Sequence, residues 1–140
     1  MNEQMTLIEI TRVSEDQRLS FIENRFGIHF PLAIEPTVYA FADRLCADYA
    51  GGYWNFYTLS NGGFYMSPEG KETFHLCCEN TFEGDLSADA FGLTCCLYAF
   101  SHLSFSDSED LGQLCGQHYH WLREAVMDHP ESGKILAACD

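Results

Sequence analysis

Tyr53-Trp54-Asn55-Phe56-Tyr57-Thr58-Leu59-Ser60-Asn61-Gly62-Gly63-Phe64-Tyr65-Met66-Ser67-Pro68 sets two aromatic runs on either side of a glycine-rich break. Aromatic and β-branched residues suit a pleated, half-buried surface, so each run reads as a strand. Asn-Gly between two such runs is a strong hairpin signal, because a type I′ turn needs positive φ at both central positions. A turn at Asn61 and Gly62 pairs Leu59 with Phe64 and Tyr57 with Met66. Pro68-Glu69-Gly70 marks a second turn, after which Thr73 to Glu79 is expected to return as a third antiparallel strand.

Outside this stretch the apolar period lengthens. Ser14 and Gln17 have capping-box spacing, and Leu19, Ile22 and Phe26 follow as one helical stripe, ended by Gly27 and Pro31. Pro36 suits the first turn of a second helix. Val38, Phe41, Ala42, Leu45 and Tyr49 form its buried face, Asp43, Arg44 and Asp48 its wet face, and Gly51-Gly52 its end. Thr81 to Asp85 reads as a loop. Ser87 caps a helix to about Leu103 that is apolar almost all round, and such a helix belongs at the centre of a fold. Ser106 to Asp110 is an acidic linker and cap before the stripe Leu111, Leu114, Cys115, His118, Leu122 and Ala125. Pro130 ends that helix, and a short one runs from Glu131 to Ala138. The order α-α-β-β-β-α-α gives an α+β class: a small three-stranded antiparallel meander packed by four to five helices. One domain over residues 1–140 is expected, with residues 1–13 poorly ordered.

The chain has 140 residues, with 21 acids against 7 Lys and Arg and a net charge of −14. That field repels phosphate and anionic lipid, which argues against direct nucleic-acid or membrane binding. Hydrophobic residues make up 46%, too many for a disordered acidic tail. Seven cysteines cannot all pair within one chain. Met1 to Asp16 has neither a cationic start nor an apolar core, so reduced thiols and a cytoplasmic location are expected. The uncharged stretch Ala90 to Ser106 is too short and too polar for a membrane span.

Few residues point to chemistry. Cys77-Cys78 and Cys95-Cys96 lack the spacing of structural zinc sites, since neighbours on a strand or a helix point apart. His118 and His120 stand at i and i+2, on different sides of a helix; His118 falls on the apolar stripe, and His120 reaches Glu124. His75 and Cys77 share one strand face, the minimum geometry of a Cys/His dyad, with no evident orienting group or oxyanion hole. Glu15-Asp16, Glu83 with Asp85, and Glu109-Asp110 read as solvated faces or helix starts. No phosphate loop, nucleophile elbow, HExxH or EF-hand spacing occurs. The expectation is therefore no catalytic residue, no metal and no cofactor. The aromatic hairpin leaves two readings open. Either helices cover both of its faces, or one face is a partner surface comprising Tyr53, Trp54, Tyr57, Asn61, Gly62, Gly63 and Tyr65.

The hairpin run Tyr53 to Pro68 resembles the signature of the ArdB/KlcA-type antirestriction proteins. Leu86-Ser87-Ala88-Asp89-Ala90-Phe91-Gly92 resembles a second block of that family, and Arg44-Leu45-Cys46, His118 to Arg123 and His129-Pro130 are similar too. The likeness runs from about Gln17 to the C-terminus. It implies a small cytoplasmic α+β protein of a plasmid or mobile element that protects incoming DNA from type I restriction-modification systems without a cofactor. It supplies no catalytic residue. The expected mechanism is non-enzymatic: protein–protein contact with the restriction machinery or an associated host factor, with acidic mimicry of DNA as an alternative and, from another class, a cysteine- or metal-dependent hydrolase built on His75/Cys77 or His118/His120.

Overall fold

The computed structural model describes residues 7–140. Its α+β architecture has a three-stranded antiparallel sheet, a separate two-stranded ribbon and five α-helices. Strand β1 (Ile10–Arg12) pairs with β2 (Trp54–Leu59), and β2 with β3 (Phe64–Pro68). The ribbon pairs β4 (Thr73–Cys77) with β5 (Glu83–Ser87). The helices are α1 (Arg18–Arg25), α2 (Glu35–Leu45), α3 (Ala88–Leu103), α4 (Glu109–Val126) and α5 (Ser132–Cys139). A π-helical turn, Phe30–Ile34, leads into α2.

Several expectations are corrected. The third strand of the sheet is β1, not the run from Thr73, which pairs with β5 instead. Glu83–Ser87, expected as mostly loop, is that partner strand. Poor order over residues 1–13 does not hold for Ile10–Arg12; residues 1–6 of that expectation lie outside the described residues. Ser14 precedes only a short 3-10 turn, Glu15–Gln17, and its side chain caps nothing. Leu19 is exposed, while Ile22 and Phe26 are buried.

The hairpin forms, but one residue out of the expected register. Thr58 faces Phe64 and Tyr57 faces Tyr65. Gly62 alone of the Asn61-Gly62 pair has positive φ, at 108°. Gly62 N–H donates to Leu59 O at 2.9 Å and Leu59 N–H to Gly63 O at 2.9 Å. These bonds close a three-residue loop, the arrangement in which a turn is followed by one residue of positive φ. Asn61 stays at negative φ because its side chain is fully engaged. Its Oδ1 accepts from Gly63 N–H at 3.0 Å, and its Nδ2 donates to Trp121 O and Glu124 Oε1, each at 2.9 Å. The turn is thereby tied to α4.

Helix α3 runs through the middle, apolar all round as its composition requires, with Phe91, Leu93, Cys95, Cys96, Leu97 and Phe100 buried. Ser87 caps it, its Oγ accepting from Ala90 N–H at 3.1 Å. Ser108 caps α4 in the same way through Leu111 N–H at 3.4 Å. The decisive packing point is Gly92. A Cβ there would lie 2.4 Å from Met66 O and 2.4 Å from Ser67 Cβ. The α3 backbone therefore touches the β3 backbone directly. A glycine inside a helix ordinarily costs about 1 kcal/mol relative to alanine. Here the contact outweighs that cost. Gly92→Ala is expected to lower unfolding free energy by about 1–3 kcal/mol, as overpacking does, against the helical trend. Urea unfolding followed by circular dichroism checks this; a more stable variant would contradict the close approach.

Candidate functional site

The aromatic hairpin is packed on both faces. Phe56 and Phe64 meet Phe26 and Phe30 with ring centroids 5.2–5.9 Å apart. Trp54 meets Tyr39, Tyr49 and Phe91, and its indole N–H donates to Tyr49 Oη at 2.9 Å. Tyr57 stacks on Tyr65 at 4.9 Å. Of the seven residues expected to form a partner surface, Trp54, Gly63 and Tyr65 are buried, and Tyr57, Asn61 and Gly62 are half-buried. Only Tyr53 is exposed, at 41%. The surplus of aromatics in the sequence reflects helices on both sides of a thin sheet, so these seven residues do not make one open face.

What lies open is an apolar groove beside the hairpin, where α1 meets the π-turn. Leu19, Ile28 and Pro31 line it with Phe30 and Phe56 at its floor, and Arg18, Glu23 and Glu35 at its edges. Leu19 is 82% exposed and Ile28 65%, with Leu32 close in sequence at 71%. Arg18 joins this groove to the hairpin. Its guanidinium sits 3.6 Å from the Phe56 ring centroid and 4.8 Å from that of Tyr53, and it donates to Trp54 O at 2.9 Å. The i, i+3, i+7 spacing of Leu19, Ile22 and Phe26 predicts one buried stripe, yet Leu19 is exposed. Its register places it on the outer side of α1.

The titratable groups divide by how they are engaged. At the start of α3, Asp89 accepts from Tyr65 Oη at 2.6 Å and from His129 Nε2 at 2.9 Å. His129 Nδ1 accepts from Glu131 N–H at 2.9 Å, which leaves Nε2–H to donate to Asp89. Glu131 in turn accepts from Ser87 N–H at 3.0 Å and Ser87 Oγ at 2.5 Å. These bonds hold the ribbon, α3 and the start of α5 together, and they hold Glu131 below the usual carboxylate range despite its partial burial.

On the outer face of the ribbon, His75 Nδ1 lies 2.6 Å from Asp85 Oδ1 and its Nε2 2.9 Å from Glu83 Oε2. An orienting group therefore exists, contrary to expectation. The two carboxylates, Glu83 foremost, raise the His75 pKa and favour the imidazolium. An imidazolium cannot take a proton from Cys77. The Cys77 thiol is itself raised, by partial desolvation and by the Glu83 charge, which opposes a nucleophilic role. All seven cysteines are free. Cys78, Cys95 and Cys96 are buried, and burial pushes the Cys96 thiol up to about 12.

His118 is buried and His120 exposed, so they do not meet. The His118 ring lies among Phe26, Phe100 and Trp121, with centroids 4.8–5.3 Å away, and neither ring nitrogen has a hydrogen-bond partner. Burial, with Arg25 adding to it, pushes its pKa down to about 4 from 6.5. In the unfolded chain the ring titrates near 6.5. Below that value the unfolded state binds a proton that the folded state refuses, so stability falls as pH drops towards 4 and is fully present above 6.5. The two values correspond to about 3 kcal/mol. His118→Leu is expected to keep or raise stability near pH 7.5 and to lose about 3 kcal/mol less than the wild type between pH 7.5 and 4. Denaturant unfolding of both proteins across that range measures the difference.

Comparison with known proteins agrees with the resemblance carried by the hairpin. Residues 47–140 match the family model described as antirestriction protein. The antirestriction protein KlcA of Escherichia coli is 39% identical over 142 residues, covering 100% of both chains. The uncharacterized protein YafX of Escherichia coli (strain K12) is 42% identical over 137 residues, covering 95% of this chain and 88% of its own. A solved structure from work on KlcA and ArdB superposes with a TM-score of 0.89 at 38% identity, covering 100% of both chains. That work describes a novel fold for those proteins, and antirestriction activity against type I DNA restriction systems in vivo but not in vitro. With full-length likeness in sequence and in fold, this chain belongs to the antirestriction protein family of KlcA and ArdB.

Proposed function

We propose that this chain protects incoming DNA from type I restriction by contact with the restriction machinery or an associated host factor, in the cytoplasm and without catalysis. The observation that carries this reading is the full-length relation to KlcA and ArdB, whose activity is described in cells and not in vitro. An inhibitor that simply filled the DNA channel of the enzyme would act on the purified enzyme. An effect confined to cells points to a component that purification removes. The contact face we assign is the groove edged by Leu19 and Ile28, continued through Arg18 to Tyr53. It combines exposed apolar side chains with an arginine and a tyrosine, the composition of a protein interface core.

The net charge of −14 favours DNA mimicry as the second reading. Against it, several carboxylates are committed to hydrogen bonds within the chain. Asp89 and Glu131 serve the α3 network, and Glu83 and Asp85 hold His75. A hydrolase is disfavoured by the carboxylates that raise the His75 pKa and favour its charged form, and by the separation of His118 from His120.

The test is plating efficiency of unmodified phage on cells carrying a type I system. Leu19→Asp with Ile28→Asp is expected to lower protection on the order of tenfold or more, as loss of an interface centre does. Its melting temperature should stay unchanged, because both side chains face solvent. Glu109→Gln with Asp110→Asn, and separately Cys77→Ser, should protect like the wild type. Full protection by the groove variant together with loss in the charge variant would favour mimicry instead, and loss with Cys77→Ser would favour a hydrolase.

A further inference from the structure

We infer that the outer face of the β4–β5 ribbon is a zinc site, with His75, Cys77 and Glu83 as ligands and Asp85 orienting the histidine. The ribbon alternates: Phe74, Leu76 and Leu86 point to the core, while His75, Cys77, Glu83 and Asp85 point out. Antiparallel register sets His75 opposite Asp85 and Cys77 opposite Glu83. One His nitrogen, the Cys sulfur and one Glu oxygen all lie within 4.8 Å of one another. Around a tetrahedral zinc ion, with bonds of about 2.0–2.3 Å, such atoms stand roughly 3.3–3.8 Å apart. Small rotations of exposed side chains close the difference.

The donor set selects the metal class. A thiolate, an imidazole and a carboxylate together suit zinc, whereas calcium and magnesium call for oxygen alone. Asp85 on Nδ1 leaves Nε2 for the ion, the carboxylate–histidine–metal arrangement that fixes tautomer and ring direction. Coordination takes the thiol as a thiolate, its proton passing to buffer, and the fourth position faces solvent.

The frame beneath these side chains is held from three sides. Phe74 stacks on Phe91 with centroids 4.4 Å apart and planes 8° from parallel. Cys78 N–H donates to Phe82 O at 2.8 Å across the connection. Asn80 Nδ2 donates to Ala137 O at 2.9 Å and Ala138 O at 3.2 Å, which ties the connection to α5. Cys77 is the one fully exposed cysteine of the seven, and it stands beside the histidine and carboxylate that complete a ligand set. Without an ion, the four side chains form only an exposed cluster of ion pairs, which contributes little to stability.

The experiment uses the full chain without a histidine tag, reduced and stripped of metal. Zinc titration by calorimetry should give one equivalent with micromolar or tighter affinity. Cobalt in its place should give a thiolate-to-metal charge-transfer band. Cys77→Ser should abolish the band, and Cys77→Ser, His75→Asn and Glu83→Gln should each weaken zinc binding at least tenfold. Asp85→Asn, which loses the orienting charge, should weaken it about tenfold. Zinc should raise the melting temperature of the wild type but not of Cys77→Ser. Glu79→Gln is the control and should bind as the wild type does. Absence of saturable binding, a cobalt spectrum without a thiolate band, or wild-type affinity in Cys77→Ser or His75→Asn overturns the assignment.

Discussion

Gly92 permits a helix backbone to lie on a strand backbone, and the rest of the architecture follows from that contact. With no side chain between them, α3 sits close enough to β3 for the Cys96 thiol to reach Met66 O, at 3.7 Å, and for Phe91 to meet both Trp54 and Phe74. A helix so placed is surrounded. It packs on α2, α4 and α5 as well as on both sheets. That surround is why its sequence carries almost no polar face, and why its first turn must be anchored by side chains from elsewhere: Tyr65 and His129 on Asp89, Glu131 on Ser87. The Ser87 hydroxyl meanwhile accepts from Ala90 N–H, one of the first-turn donors that the helix itself leaves without a partner.

This packing changes what the family-like segments mean. The hairpin run and the block from Leu86 to Gly92 are the two partners in the central contact, and His129 closes the network at the start of α3. Their residue types are accounted for by structure: Gly62 by positive φ under the Trp121 ring, Gly92 by direct backbone contact, Asp89 by its two donors. A surface that recognises a partner is better sought where side chains have no such internal reason. Leu19 and Ile28 meet that criterion, being large, apolar, and exposed beside a groove.

The elements with a strong local signature were legible. Helices α2, α3 and α4 show clear apolar periods or a continuous apolar run, and Ser87 and Ser108 stand where caps are needed. The strands that were missed lack such a signal. Ile10–Arg12 is short and exposed throughout, so no alternation betrays it, and its partner lies beyond two helices in sequence. Glu83–Ser87 carries two acids and a glycine, and only pairing with β4 makes it a strand. The turn register was missed for a nonlocal reason. Asn-Gly favours a type I′ turn in isolation, but here Asn61 is engaged by α4, and Gly62 alone takes positive φ. The β4–β5 cluster was half legible. The His75/Cys77 spacing was visible, while Glu83 and Asp85 joined them only through the unforeseen pairing.

Three histidines show why composition alone says little about chemistry. His129 bridges the Asp89 carboxylate and the Glu131 N–H, so its two ring nitrogens tie the start of α3 to the start of α5. His118 is buried with no hydrogen-bond partner among the described residues, and a proton there would be a bare charge among aromatic rings. His75 alone stands in solvent with both nitrogens on carboxylates. At His129 the ring is structural, and at His118 the fold opposes a positive charge. In the third, the surrounding negative charge invites a cation, and whether that cation is a proton or a metal ion depends on the thiol two residues along the same strand face.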